Sequence, residues 1–170
     1  MTRVMMGMIG LMLAVSASAS EVKFGIVDMQ KALQSVDAGK KAKTELEAEF
    51  NKKKTELQNE EASIKKLHEE FQKQSLVMND QAKAKKQSEL QERIMKFQEK
   101  TARSQTDIQK KEQELTLPIV TALKKIVHGI ATERQMALVL ENNENTILFS
   151  LDKDDITTEV INQYNKTAKK

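Results

Sequence analysis

The sequence predicts a mainly helical α+β protein, in which a small β-containing body carries one long antiparallel coiled-coil hairpin per chain. Three observations lead to this prediction. Of the 170 residues, 31% are charged and only 4% are aromatic, so large apolar side chains are too few for a sizeable globular core. Apolar residues recur at every seventh position through the middle of the chain. Short segments rich in β-forming residues lie before and after that stretch.

The N-terminal segment has the features of a secretory signal peptide. Arg3 provides a positive charge, residues 4–15 form an uncharged apolar stretch, and Ala17 and Ala19 give the small residues that signal peptidase requires. A buried N-terminal helix is the alternative for such a stretch, but it would not need the small-residue pattern. We expect cleavage after Ala19, which removes one basic residue and lowers the net charge from +3 to +2. The exported protein is then expected in the periplasm.

The next segment predicts a strand followed by a short helix. Residues 21–27 alternate in polarity over a few positions and are rich in β-forming residues. Asp28 is a good N-cap for a helix over residues 29–35, in which Ala32 and Leu33 could face a core.

Two matching apolar stripes predict the hairpin. If the chain folds back at residues 79–80, Phe50 lies level with Ile108, and Leu57 lies level with Thr101 and Ser104. The two stripes can then pack against each other along their whole length. Each arm would span about 60 Å at a rise of 1.5 Å per residue. We expect Phe50 and Phe97 to pack in the seam, and the polar seam residues Lys53, Glu60, Thr101 and Ser104 to loosen it. The first stripe comprises Leu46, Phe50, Leu57, Ile64, Leu67, Phe71 and Met78, and the second comprises Leu90, Ile94, Phe97, Thr101, Ser104, Ile108, Lys111 and Leu115.

The C-terminal part predicts the rest of the body. Pro118 is expected to kink a helix or to start a new one where the hairpin meets the body. Residues 136–140 and 146–150 predict two strands joined as a β-hairpin. Asp154 or Asp155 is expected to cap a last helix.

These elements divide the chain into a predicted signal peptide at residues 1–19, a coiled-coil hairpin at residues 38–115, and a body formed by residues 20–37 and 116–170. A body this small, with three predicted strands, would leave sheet edges exposed. We therefore expect copies of the chain to cover these edges in a homo-oligomer.

The sequence contains no pattern typical of an enzyme. The glycines that follow the signal peptide, Gly25, Gly39 and Gly129, are too far apart to form a phosphate-binding loop. The absence of cysteine excludes disulfides and thiolate metal sites. His68 lies among charged residues of a predicted helix and is expected to be solvated, and His128 is far from it. We predict no catalytic activity, no cofactor and no metal site.

The predicted tip of the hairpin carries an excess of positive charge. From Lys73 to Lys96 the chain has six basic residues and three acidic ones. Ordinary surface charge of helices explains this excess. Alternatively, the hairpins of several copies could add their fields and attract acidic proteins or anionic lipid head groups.

Five short segments, in order around the hairpin and behind a signal peptide, carry a resemblance to a known family. They are residues 24–32 (FGIVDMQKA), 39–42 (GKKA), 117–119 (LPI), 136–140 (MALVL) and 151–161 (LDKDDITTEVI). With these segments the chain after the signal peptide resembles the Skp/OmpH family of periplasmic chaperones for outer-membrane proteins.

The resemblance implies a homotrimer, in which the strands assemble into one β body and three helical hairpins project from it. Members of the family hold unfolded outer-membrane proteins between the hairpins without ATP, and some are also linked to lipopolysaccharide. The implied partners are therefore unfolded outer-membrane proteins, further copies of the chain, and lipopolysaccharide or another anionic lipid. The residues expected to contact clients are Phe71, Met78, Lys83, Lys85 and Lys86, and those expected in the trimer body are Phe24, Ile26, Leu138, Leu140, Ile147 and Phe149.

Two other classes of function were weighed. A structural coiled-coil spacer or adaptor of the cell envelope would require further β-rich domains and a membrane anchor, which the sequence does not predict. A nucleic-acid binder is opposed by a net charge of only +2 after cleavage and by the predicted export.

Overall fold

The computed structural model describes residues 22–143, 147, 149 and 155–168, so the predicted signal peptide lies outside the described residues. Two consecutive long helices lie between the short elements of the body. In chain order they are β1 (Lys23–Val27), α1 (Met29–Ser35), α2 (Asp37–Gln74), α3 (Asp80–Glu133), β2 (Met136–Glu141) and α4 (Thr157–Thr167). The mainly helical α+β class predicted from the sequence is confirmed.

The predicted strand and short helix at the N-terminus are both present. The Asp28 side chain accepts a hydrogen bond of 2.7 Å from the Lys31 backbone N–H, which caps α1 as predicted. Val36 then adopts an extended backbone between α1 and α2, so the chain turns there without a loop.

Helices α2 and α3 form the predicted antiparallel hairpin. Helix α2 has 38 residues and is therefore about 57 Å long. The chain reverses over residues 75–79, and the Asn79 side chain accepts a hydrogen bond of 2.8 Å from the Ala82 backbone N–H at the start of α3. Along α2 the stripe residues Leu57, Ile64 and Phe71 are half-buried, in agreement with the predicted seam.

Helix α3 continues through Pro118, so the alternative that a new helix starts there is wrong. Proline removes one backbone donor, which leaves the carbonyl of Glu114 without its helical partner. Both residues are exposed, so water can hydrogen-bond to that carbonyl and the helix can continue. As a result α3 is both the second arm of the hairpin and the central helix of the body.

The two described strands pair in parallel. Phe24 lies opposite Leu138, and Ile26 lies opposite Leu140. A parallel pair requires a crossover connection, which α1, α2 and α3 provide. The predicted β-hairpin partner of β2 at residues 146–150 lies largely outside the described residues. On its other side β1 meets Asp155 through an isolated parallel bridge.

The core of the body lies where α1, α4 and the last third of α3 meet one face of the sheet. By length and composition, α3 is the one described helix that could cross a membrane, and part of its apolar face near the body packs in this core. The buried residues of the core are Val27, Ala32, Val36, Ala42, Ile119, Leu123, Ile130, Ile156 and Val160.

Helix α4 begins at Thr157, and its N-cap is Ile156 rather than one of the predicted aspartates. The Asp155 carboxylate nevertheless accepts a hydrogen bond of 2.8 Å from the Thr157 backbone N–H. The Thr157 hydroxyl in turn accepts a hydrogen bond from the Asp28 backbone N–H, which joins the start of α4 to the start of α1.

Candidate functional site

Polar contacts between the arms show the register of the hairpin. The Lys53 ammonium lies 2.7 Å from the Asp107 carboxylate, the Lys111 ammonium lies 2.6 Å from the Glu45 carboxylate, and Lys100 lies 3.9 Å from Glu56. Nearer the tip, the Arg93 guanidinium donates a hydrogen bond of 3.1 Å to the Ser63 hydroxyl. The positions joined by these contacts agree with the register predicted by reflection about residues 79–80.

These contacts between the arms shift the pKa values of the groups that form them. The hydrogen bond from Lys53 lowers the pKa of the Asp107 carboxyl, and the same bond raises the pKa of the Lys53 ammonium. A hydrogen bond to Glu45 raises the pKa of Lys111. All these groups are solvent-accessible, so each pair contributes little to stability by itself.

Acidification is expected to loosen the middle of the hairpin. Because the folded-state pKa of Asp107 lies below its unfolded-state value of about 3.9, its contribution is complete above that pH and is lost as the pH falls through the folded-state pKa. The chain has no cysteine, so spin labels on Thr55→Cys and Thr106→Cys would report the distance between the arms. The distance distribution should broaden below about pH 4.

The variant Asp107→Asn is the control for this measurement, since the other carboxylates of the hairpin remain. It should show part of this broadening already at neutral pH and a smaller change on acidification. A distribution that stays narrow in the unsubstituted hairpin at a pH low enough to protonate Asp107, with full helicity, would contradict the role assigned to the Lys53–Asp107 pair.

An apolar groove lies beside these contacts, between the two arms. Phe50 and Leu57 of α2 and Thr101, Ser104 and Ile108 of α3 line it, and its volume is 490 Å³. The prediction that Phe50 packs in the seam is wrong, because 53% of its side chain remains exposed. Its apolar counterparts on α3 are interrupted by the small side chains of Thr101 and Ser104, which do not fill the space between the helices.

The hairpin tip exposes two apolar side chains that the sequence analysis missed. Leu76 is 89% exposed and Val77 is 88% exposed. A signal for them was present, because they stand next to Met78 in a turn and cannot share its heptad position.

The residues predicted to contact clients surround this tip. Phe71 and Met78 are half-buried, so only part of each side chain is available for contact. Lys83 and Lys85 are exposed in the first turns of α3. The ammonium of Lys86 lies 3.6 Å from the Glu89 carboxylate on the same helix.

The outer face of the sheet is a second apolar surface. Phe24 and Leu138 are register partners, and so are Ile26 and Leu140, so all four point to one side of the sheet. The opposite side packs on the core through Val27 and Val139. Of the residues predicted for the trimer body, Phe24, Leu138, Leu140 and Phe149 are exposed, Ile147 is half-buried and Ile26 is buried.

Within the part of the chain that the structure describes, no three histidine or acidic side chains are grouped closely enough to hold a metal ion. What the described surface offers instead is apolar area on the outer face of the sheet, in the groove and at the tip. Exposed apolar surface of this kind is typical of a protein that binds other proteins.

Comparison with known proteins identifies the family. The profile of the family described as "Outer membrane protein (OmpH-like)" matches residues 23–164, and the chain belongs to this family. "Chaperone protein Skp" of Yersinia enterocolitica is 24% identical over 155 residues, which cover 91% of this chain and 93% of the relative. "Chaperone protein Skp" of Pectobacterium atrosepticum is 23% identical over 156 residues, with the same coverage of both chains.

A solved structure shares the fold. A crystal structure of an OmpH-like outer membrane chaperone from Caulobacter crescentus CB15 superimposes with a TM-score of 0.75 at 16% identity, covering 96% of this chain and 90% of the other. The resemblance to the Skp/OmpH family is therefore confirmed. The family is one of non-enzymatic chaperones, which also confirms the prediction that the chain is not an enzyme.

Proposed function

We propose that this protein is an ATP-independent periplasmic chaperone that holds unfolded outer-membrane β-barrel proteins between the helical hairpins of a homotrimer. The single observation that carries the proposal is the apolar surface that the hairpin leaves exposed in the groove and at the tip. Membership of the OmpH-like family supports a chaperone role. The N-terminal segment, with the features of a signal peptide, supports export.

The chemistry of the hairpin suits a partner without a fixed structure. An unfolded barrel strand alternates apolar and polar side chains, so a partner must accept many registers. The hairpin presents separate apolar patches amid lysine and glutamate side chains, and each patch would contribute about 1 kcal/mol or less. Three hairpins tethered to one body would raise the effective concentration and convert weak contacts into useful avidity.

The outer face of the sheet supports the homotrimer. Phe24 and Leu138 lie side by side on a face that no described residue of the core cluster covers. Exposed apolar area of this kind favours burial against another copy of the chain.

Binding of lipopolysaccharide or another anionic lipid stays a prediction. The arrangement that favours it is the tip, where the apolar Leu76 and Val77 lie near the basic Lys83 and Lys85. Attraction of this kind would weaken at high salt.

Dilution of an unfolded barrel tests the proposed function. Residues 20–170 should keep a urea-unfolded outer-membrane barrel protein from scattering light after dilution, without nucleotide, at about one trimer per barrel. An equal mass of an unrelated soluble protein of similar charge is the control. A trimer that leaves the scattering unchanged would contradict the chaperone function and favour a structural spacer of the cell envelope.

A further inference from the structure

We propose that the groove between α2 and α3 is a docking site for one large apolar side chain of an extended client segment. This inference rests on the proposed function and names a specific binding site within it. The groove is lined by Phe50 and Leu57 on α2 and by Ile108 on α3, together with the small side chains of Thr101 and Ser104. Its volume of 490 Å³ lies within the range of sites that bind small molecules, about 300–1,000 Å³.

The two polar residues of the groove impose little polar demand on a ligand. The Thr101 hydroxyl donates a hydrogen bond of 2.8 Å to the Phe97 backbone carbonyl, so its proton is already used within the helix. Ser104 is 7% exposed, and its hydroxyl can rotate to donate to the backbone carbonyl one turn earlier, as Thr101 does, when an apolar group enters. An apolar side chain can therefore occupy the groove without leaving either hydroxyl proton unsatisfied.

The rim of the groove selects the kind of occupant. Lys53 is paired with Asp107, and the remaining charges, Lys54 and Glu61, have opposite signs. The rim therefore carries no excess positive charge that would favour a lipid with an anionic head group.

The other rim residues are glutamines, which suit a polypeptide. Gln58, Gln105 and Gln109 each offer an amide that can donate and accept hydrogen bonds. An unfolded chain presents unpaired backbone N–H and C=O groups that need such partners. In an extended segment successive side chains point to opposite sides, so one can enter the groove while its neighbours stay in water.

Because this chain contains no tryptophan, the fluorescence of a tryptophan in a bound peptide can be measured without background from the protein. The probe is an uncharged nine-residue peptide, blocked at both ends, that alternates threonine and serine around one central tryptophan. Its fluorescence should shift to shorter wavelength and saturate as the trimer is added. The same peptide with phenylalanine in place of tryptophan should compete, and the peptide with serine there should not.

Filling the groove should abolish this binding. The double variant Thr101→Leu, Ser104→Leu places large side chains in the gap and should weaken peptide binding at least tenfold. Both positions belong to the apolar stripe, so the variant should remain helical and unfold at a higher temperature, which excludes unfolding as the cause.

The matched control is Thr106→Leu. Thr106 is an exposed threonine on the same helix, its hydroxyl donates to the carbonyl four residues earlier as Thr101 does, and it does not line the groove. Binding to this control should equal binding to the unsubstituted protein. Equal binding by the filled variant, or stronger competition by decanoate than by the phenylalanine peptide, would overturn the proposal.

The same samples separate this inference from the proposed function. If the unsubstituted protein suppresses barrel aggregation but the filled variant binds the peptide equally well, the docking site is wrong and the chaperone function stands. If the peptide binds in the groove but aggregation is not suppressed, the docking site stands and the holding function is wrong.

Discussion

Replacing Gly39 with alanine should destabilise the folded protein by about 3 kcal/mol, the upper end of what overpacking costs. A Cβ atom built on Gly39 would lie 1.7 Å from the Leu33 backbone carbonyl oxygen and 2.9 Å from the Leu33 carbonyl carbon. Both are backbone atoms of α1, so no side chain can rotate away. Helices α1 and α2 would have to separate at Val36, which is a fully buried member of the core.

Gly129→Ala is the matched control for this prediction. Gly129 lies inside α3, and a Cβ atom built there has no atom within 4 Å. Alanine should therefore stabilise the helix by roughly 0.5–1 kcal/mol, because glycine has the greater conformational freedom to lose. Urea unfolding followed by circular dichroism, at one protein concentration because assembly adds to stability, should move the two midpoints in opposite directions. Equal midpoints would contradict the close approach of α1 and α2.

The sequence was sufficient to predict the hairpin because the apolar pattern that specifies it lies within short stretches of chain and repeats every seven residues. A stripe such as Leu57, Ile64 and Phe71 has one helical solution, and the matching stripe on α3 has one register against it. The cap at Asp28 and the short helix after it are equally local, and both are present.

The pairing of the strands could not be read in the same way. β1 and β2 are separated by more than a hundred residues, and periodicity in each strand says nothing about which strand lies beside it. Residues 136–140 and 146–150 are close along the chain, which favoured a β-hairpin between them. The described partner of β2 is instead the distant β1. The parallel arrangement depends on the route of α3 through Pro118, and proline statistics favour a kink or a break there.

The candidate site was predicted in outline but not in detail. The heptad pattern placed Phe50 in the seam, although its exposure depends on how well the residues across from it fill the space. Such packing depends on several side chains together, so the residue type at one position does not predict how exposed Phe50 will be. Leu76 and Val77 were missed for a related reason, since two apolar residues in a turn follow neither a helical nor a strand period.

The dual role of α3 links the stability of the body to the function of the hairpin. Leu123 and Ile130 hold the C-terminal part of the helix in the core, while Ser104 and Ile108 belong to the groove on the same helix. In the proposed homotrimer, a change in how the body assembles would therefore change how many hairpins act together, without altering the surface of any one hairpin.

Replacing Leu138 with glutamate should reduce the mass of the protein in solution from the three chains of the proposed homotrimer to one. Leu138 is 48% exposed on the outer face of the sheet, so a single chain can accept a charged side chain there and still fold. At a contact between copies the same carboxylate would be buried without a partner, which is strongly unfavourable. Light scattering coupled to size-exclusion chromatography measures the mass, and circular dichroism checks that the helices remain.

The functional consequence follows from avidity. A monomer carries one hairpin, so suppression of barrel aggregation should fall by at least tenfold at equal chain concentration, because the tethered second and third contacts are lost. Met95→Glu is the control, since Met95 is 63% exposed on the hairpin and does not belong to the sheet face. It should stay trimeric and active. If Leu138→Glu remains trimeric, the outer face of the sheet is not the contact between copies. If it is monomeric and still suppresses aggregation fully, each hairpin holds clients alone and the shared cavity is unnecessary.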